Sequence, residues 1–163
     1  MISEIAVNKN LSKEKIYRAI LPQIRELIRD ESDLIANIAN IVSVLKYSFC
    51  KFLWVGFYFY DRDKKELVLG PFQGKIACTR IRSGQGVCGS AVERKETILV
   101  EDVDKFPGHI YCDSNSKSEI VVPVIKDNEV KAVLDIDSGD LNAFDKTDKN
   151  YLEELIKDIS YIF

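Results

Sequence analysis

The sequence predicts an α+β domain in which helices at both ends of the chain flank a central, mostly antiparallel sheet of about six strands. Three observations predict this class. The chain has 163 residues, 46% of them hydrophobic, which suits one domain with a sizeable core. Apolar residues recur at helical spacing near both ends. The middle of the chain contains short β-branched and aromatic segments joined by turns, as in hairpin-connected strands.

Helical periodicity marks three segments. The first covers residues 12–29, where Ser12 is placed to cap the helix and Pro22 predicts a kink or a break. Its apolar positions are four residues apart: Ile16, Ile20, Ile24 and Ile28. A second helix is predicted over residues 31–48 and a closing helix over residues 147–161. The apolar faces of the first and last helices can either cover the sheet or pair between two chains as a homodimer.

Strand patterns occupy the middle of the chain. Six segments are predicted as strands: residues 52–60, 66–69, 75–81, 96–100, 120–125 and 129–136. Gly70 and Pro71 are expected to end the second of them. A short helix is predicted over residues 87–93. Residues 101–118 form a long polar loop, and long ordered loops in compact domains are more often functional than idle.

Composition and charge exclude several classes of protein. With 30% charged residues, only 8 glycines and 4 prolines, the chain is neither disordered nor of low complexity. A net charge of −3 provides no field that attracts nucleic acid. The most apolar stretch, residues 34–60, is interrupted by Lys46 and Lys51, so no membrane segment is expected. The first residues contain Glu4 and lack the pattern of a signal peptide, which predicts a cytoplasmic location.

Four cysteines are the first candidates for chemistry. They are too few and too widely spaced for a disulfide framework, and are expected to be reduced in a cytosol. Cys50 follows the second helix in an apolar context and is expected to be a small core residue. Cys78, Cys88 and Cys112 lie beside turn-forming or polar residues. For these three a structural role, a zinc site completed by His109 and a redox role all remain open.

Within the redox alternative, Cys112 is the best candidate nucleophile, because it alone lies in the long polar loop. A nearby His109 would lower the pKa of its thiol, whereas the acidic Asp113 and Glu119 would oppose that effect. A site rich in carboxylates is an unusual place for a thiolate unless the carboxylates serve a substrate.

Two pairs of residues share strand faces. The period of two places Asp135 and Asp137 on one face, either as a solvated side of the sheet or as a cluster that binds a cation or shares a proton. Trp54 and Tyr58 also share a face, and Gly56 leaves room between them. These aromatic residues belong either to the core or to the wall of a pocket for a small apolar group.

Seven segments carry a resemblance to a known family: residues 54–58, 70–78, 86–89, 100–103, 106–113, 118–123 and 133–138. They resemble the free methionine-(R)-sulfoxide reductases, enzymes built on a single GAF domain. The likeness covers roughly residues 30–160, which implies one GAF-like domain over residues 1–163 with the helix of residues 12–29 appended. Tyr111 departs from the family pattern, which generally has a small residue at this position.

The resemblance also implies a site. It makes Cys112 the nucleophile and Cys78 the main resolving thiol, with Cys88 as a third redox-active thiol. The implied substrate-binding residues are Glu119, Asp135, Asp137, Trp54 and Tyr58. The implied activity is reduction of free L-methionine (R)-S-oxide through a sulfenic acid and an intramolecular disulfide, which thioredoxin then reduces. No metal or organic cofactor is expected. The alternatives are a GAF module that senses redox state or binds a small ligand without catalysis, and a zinc-stabilised interaction protein.

Overall fold

A computed structural model describes residue 5 and residues 7–163, which form a six-stranded sheet with helices on both faces. The helices are α1 (Lys13–Ile28), α2 (Leu34–Ser48), α3 (Gly86–Arg94) and α4 (Lys146–Ile159). Two 3₁₀ turns cover Val103–Lys105 and Ser160–Ile162. The strands are β1 (Phe52–Asp61), β2 (Glu66–Gln73), β3 (Arg80–Arg82), β4 (Ile98–Val100), β5 (Ser118–Lys126) and β6 (Glu129–Ser138). The α+β class with about six antiparallel strands is confirmed. The prediction that the first residues are not a signal peptide concerns residues 1–4, which lie outside the described residues.

Register within the sheet decides which side chains meet. The strand order is β3-β2-β1-β6-β5-β4, and each neighbouring pair is antiparallel. Asp137 on β6 lies opposite Trp54 on β1 and opposite Glu119 on β5. Asp135, two residues earlier, lies opposite Gly56. These residues therefore occupy one end of the three central strands.

The two faces of the sheet belong to two separate hydrophobic clusters. The larger cluster joins α1, α2 and α4 to side chains such as Phe57 and Ile136. The smaller cluster packs α3 against Trp54, Tyr58 and Val133 on the opposite face. The apolar faces of α1 and α4 are buried within this chain, so they cover the sheet; the homodimer remains a prediction that these faces do not support.

A buried polar contact fastens α1 to α4. The Asp148 side chain is fully buried and accepts a hydrogen bond of 3.0 Å from the Tyr17 hydroxyl. Lys13 Nζ forms an ion pair with the same carboxylate. Burial and the neighbouring carboxylate raise the pKa of Tyr17 well above its usual value, so its hydroxyl stays a donor. None of the helices within residues 5 and 7–163 has the length and apolar character that crossing a membrane requires.

Helix α1 runs through Pro22 without the predicted break. A proline at this position removes the hydrogen bond to the carbonyl of Arg18. Both residues lie on the exposed face, where water can satisfy that carbonyl. Buried apolar residues on either side, Ile20 and Ile24, hold the two halves of the helix on the same core.

Strand β2 also passes its predicted end at Gly70 and Pro71 and continues to Gln73. Strand β3 pairs with only the first three residues of β2, so residues 70–73 have an open edge, where a proline does not interrupt a ladder. The strand predicted over residues 75–81 is correspondingly short. Only its last part forms β3, and residues 75–78 are irregular.

Candidate active site

A pocket opens at the end of the central strands, between the first turn of α3 and the loop that precedes β5. Seven of the eight site residues implied by the sequence line it: Trp54, Tyr58, Cys88, Cys112, Glu119, Asp135 and Asp137. The eighth, Cys78, lies outside the lining but is bonded to Cys112. The space between atoms is about 520 Å³, part of it open to solvent. A pocket that combines aromatic walls with a few convergent polar groups is typical of a small-molecule site.

Three carboxyl groups form the floor of this pocket. Glu119 and Asp135 are only 5% and 6% exposed, so the alternative of a solvated sheet face is wrong for this end of the sheet. Burial, followed by repulsion between the carboxylates, raises the pKa of both groups well above the usual values. Burial also raises the pKa of Asp137 to about 6, although the Ser116 hydroxyl donates a hydrogen bond to it. Glu119 and Asp135 therefore keep their protons to a higher pH than ordinary carboxyl groups do, and Asp137 is mostly ionised at pH 7.

Cys88 lies beside these carboxyl groups in the first turn of α3. Its thiol donates toward Glu119 Oε1 at 4.0 Å, and burial raises its pKa well above the usual value. Gly89 allows this approach of α3, because a Cβ there would lie 2.3 Å from the carbonyl oxygen of Arg82. Among the described residues, Cys88, Glu119 and Asp135 offer ligand atoms within 4.8 Å of one another; a metal ion bound there would have to displace protons that burial favours on all three groups.

Cys78 and Cys112 form a disulfide, with an S–S distance of 2.08 Å and Cα atoms 5.5 Å apart. The expectation that all four cysteines are reduced is therefore wrong for this structure. The bond also removes two ligands from the zinc site proposed on three cysteines and His109. Cys112 is exposed and Cys78 is half-buried. Cys50 is exposed as well, and its assignment to the core is wrong because it lies in the turn after the end of α2.

Trp54 and Tyr58 form an aromatic wall above the carboxyl groups. Their rings are stacked, with centroids 5.9 Å apart, and the Trp54 indole N–H donates to the carbonyl of Lys75 at 3.1 Å. The Trp54 ring crosses Gly56, where a Cβ would lie 2.3 Å from Trp54 Cη2. Both alternatives for this pair hold, since the two residues belong to the smaller core cluster and also line the pocket.

His109 also lines the pocket, where it lies beside Glu119, a contact that the spacing of residues in the sequence did not indicate. Its side chain is 7% exposed, and Nδ1 lies 3.6 Å from Glu119 Oε2. This nitrogen has no hydrogen-bond partner among the described residues. Burial lowers the pKa of the imidazole, which is therefore neutral at pH 7 and does not lower the pKa of the Cys112 thiol through a positive charge.

Ser116 is a site residue that the sequence analysis missed. It is buried, lines the pocket and donates to Asp137 Oδ1. No local signal indicates this role, because a serine in a polar loop is an ordinary residue. Its position depends on the hydrogen bond from the Lys117 amide to the carbonyl of Ser138, which holds the loop end against β6.

The fold and this pocket have counterparts in known proteins. A sequence model of the GAF domain matches residues 28–163, which include all six strands and every site residue described above. GAF domain-containing protein A of Dictyostelium discoideum is 52% identical over 157 residues, with 96% of this chain and 98% of the relative covered. The free methionine-R-sulfoxide reductase of Saccharomyces cerevisiae is 42% identical over 156 residues, which cover 92% of this chain and 87% of the relative.

The chain belongs to the free methionine-R-sulfoxide reductase family of GAF domains. The family structure from Neisseria meningitidis, solved in complex with its substrate, superposes with a TM-score of 0.93. It is 49% identical in sequence, and the match covers 98% of this chain and 96% of that one. The family resemblance expected from the sequence segments is thereby confirmed, as is the GAF fold. Helix α1 lies almost entirely outside the matched GAF region, and its status as an appended element stays a prediction.

Proposed function

We propose that this protein reduces free L-methionine (R)-S-oxide to methionine. One observation carries the proposal: the exposed Cys112, the buried Glu119 and Asp135 with the half-buried Asp137, and an aromatic wall meet in a single pocket. Membership of the family supports the same activity, since relatives from Saccharomyces cerevisiae and Escherichia coli carry the name free methionine-R-sulfoxide reductase.

The carboxyl groups of the pocket floor can bind the ammonium group of the substrate. A free amino acid has a positively charged ammonium group. The negative charge on Asp137 can pair with that group, and the pairing compensates the cost of removing the ammonium group from water. Trp54 and Tyr58 enclose the methyl end of the substrate. A residue within a peptide has a neutral amide in place of the ammonium group, so the pocket should reject peptide-bound methionine sulfoxide.

The reductive step uses the protons that the cluster retains. Glu119 or Asp135 donates a proton to the sulfoxide oxygen. The protonated group has a more electrophilic sulfur, which the Cys112 sulfur then attacks. The oxygen atom moves from the substrate to Cys112. The methionine sulfur is reduced, and Cys112 is oxidised to a sulfenic acid.

The resolving step follows from the distance between two cysteines. The Cys78 thiol attacks the sulfenic sulfur of Cys112, water leaves, and a disulfide forms. The Cα separation of 5.5 Å supports Cys78 as the partner. Cys88, the third redox-active thiol in the family pattern, is buried with a raised pKa, which disfavours it as the first attacking thiol. Thioredoxin then returns the disulfide to two thiols.

Turnover with purified thioredoxin, thioredoxin reductase and NADPH tests the proposal. Free methionine (R)-S-oxide should be consumed, and the S epimer and the peptide-bound form should not. Cys112→Ser should abolish turnover, whereas Cys50→Ser, which changes an exposed cysteine outside the pocket, should retain it. Full activity of Cys112→Ser would refute the assignment. Binding of the sulfoxide without turnover in the unaltered protein would favour the alternative of a ligand-binding GAF sensor.

A further inference from the structure

The surface around the disulfide combines an accessible bond with two exposed apolar side chains. Ile76 is 88% exposed, lies at the rim of the pocket and stands two residues before Cys78. Tyr111 is 57% exposed and directly precedes Cys112. Because the disulfide joins the two segments, both side chains are held beside it. We call Ile76 and Tyr111 the apolar patch.

Tyr111 is held in place although it faces solvent. Its hydroxyl donates to Asp104 Oδ1 at 2.8 Å, and its ring meets the His109 ring edge-on with centroids 4.6 Å apart. A side chain that is already ordered loses little conformational entropy when a partner covers it. Aromatic residues presented in this way are frequent anchors of protein interfaces.

The disulfide itself requires an outside source of electrons. Exchange with either free cysteine, Cys50 or Cys88, would only move the disulfide to another pair of sulfurs, because no electrons enter the protein. An external thiol must therefore reach the bond, and the exposed Cys112 lies at the surface where it can do so. One pair of charges beside the bond is compensated: Lys75 Nζ lies 3.6 Å from Asp113 Oδ2. Ile76 and Tyr111 add apolar surface that a partner can cover.

We infer that Ile76 and Tyr111 form the docking surface of a protein dithiol reductant, whose own apolar contact surface surrounds its reactive thiol. This inference rests on the proposed function, because that function requires the disulfide to be reduced after each turnover. A thiolate of the bound reductant attacks one sulfur of the Cys78–Cys112 bond, and the other sulfur leaves and takes up a proton. The second thiol of the reductant then displaces the mixed disulfide, so that the reductant ends as a disulfide and both cysteines as thiols.

The test measures reduction of the disulfide directly, without any sulfoxide. Oxidised protein is mixed with purified reduced thioredoxin at increasing concentrations, or with dithiothreitol, and the rate of thiol formation is followed. Ile76→Ser and Tyr111→Ser should each lower the second-order rate constant with thioredoxin at least fivefold and leave the rate with dithiothreitol unchanged. The matched controls are Ile35→Ser and Tyr161→Ser, which change side chains that are 51% and 60% exposed elsewhere. Both controls should behave as the unaltered protein does.

Three results would overturn the inference. The first is an unchanged rate constant with thioredoxin in both patch variants. The second is an equal loss with thioredoxin and dithiothreitol, which would mean that the substitutions alter the bond's own accessibility. The third is a shift of oligomeric state in light scattering, which would make the patch a contact between copies of the chain. Failure of the proposed function would be seen separately, as absence of sulfoxide turnover in a protein whose disulfide thioredoxin still reduces.

Discussion

Replacing Asp137 by asparagine should stabilise the protein at neutral pH while it damages the site. Burial raises the pKa of Asp137 from its ordinary 3.8 to about 6. Because a tenfold change in an acid constant corresponds to ~1.4 kcal/mol, ionising this group costs about 3 kcal/mol more in the folded protein than in the unfolded chain. Asparagine is neutral and keeps an oxygen that can accept the hydrogen bond from Ser116. We expect Asp137→Asn to raise the free energy of unfolding at pH 7.5 by about 1–3 kcal/mol.

The pH dependence identifies the cause. The folded protein keeps the Asp137 proton to a higher pH than the unfolded chain does, so this group's contribution to stability is lost as pH rises from about 4 to about 6. The variant lacks that loss, and its advantage should be near zero at pH 3.5 and complete above pH 7. Glu119 and Asp135 face Asp137, and their raised pKa values, which are due partly to its charge, should fall in the variant.

Urea unfolding at the two pH values, followed by the fluorescence of the single tryptophan, Trp54, measures this difference. Asp63→Asn is the matched control, because Asp63 is an exposed carboxylate in the turn between β1 and β2. An Asp137→Asn variant that is no more stable than the unaltered protein at pH 7.5, or equally more stable at both pH values, would refute the reasoning. The kcat/KM of the same variant for free methionine (R)-S-oxide should fall by about 10- to 100-fold, because the ammonium group of the substrate loses its charged partner.

Three further predictions concern other parts of the structure. Gly56→Ala should lower the free energy of unfolding by about 1–3 kcal/mol and raise KM, because a Cβ would lie 2.3 Å from Trp54 Cη2; unchanged urea midpoints and kinetics would contradict this. Iodoacetamide should label Cys50 in the folded, unreduced protein and spare the buried Cys88, as counted by intact-protein mass spectrometry; two labels would show that Cys88 is accessible. Asp148→Ala should cost about 3 kcal/mol, because it leaves a buried tyrosine hydroxyl and a lysine without their acceptor; a loss below about 1 kcal/mol would contradict this.

The periodicity of apolar and polar residues predicted side-chain placement correctly where that placement depends on one helix or strand alone. The period of two placed Asp135 and Asp137 on one face, and the structure has both in the pocket. The predicted ends of helices and strands were wrong where packing against another part of the chain tolerates a proline. Pro22 does not break α1, because its lost hydrogen bond faces solvent and the opposite side of the helix is anchored in the core. Pro71 does not end β2, because no third strand pairs with it there.

The cysteines show the same division. Cys112 was singled out by its polar loop, and that loop is where the structure places it. Cys50 was assigned to the core from its apolar neighbours, but exposure depends on where the chain turns between α2 and β1. The neutral state of His109 depends on burial beside Glu119, which no spacing in the chain reveals.

By itself, the sequence determined the class of the fold, the family and the faces of individual strands, because these follow from composition, motif and periodicity over a few residues. The family resemblance implied that Cys78 resolves Cys112, but only the tertiary structure brings these residues, 34 positions apart, together as a disulfide. It also decided that three acidic side chains share one buried floor. Strand register and loop closure bring these groups together, and both arise from contacts between distant parts of the chain. Their pKa values follow from the burial that results.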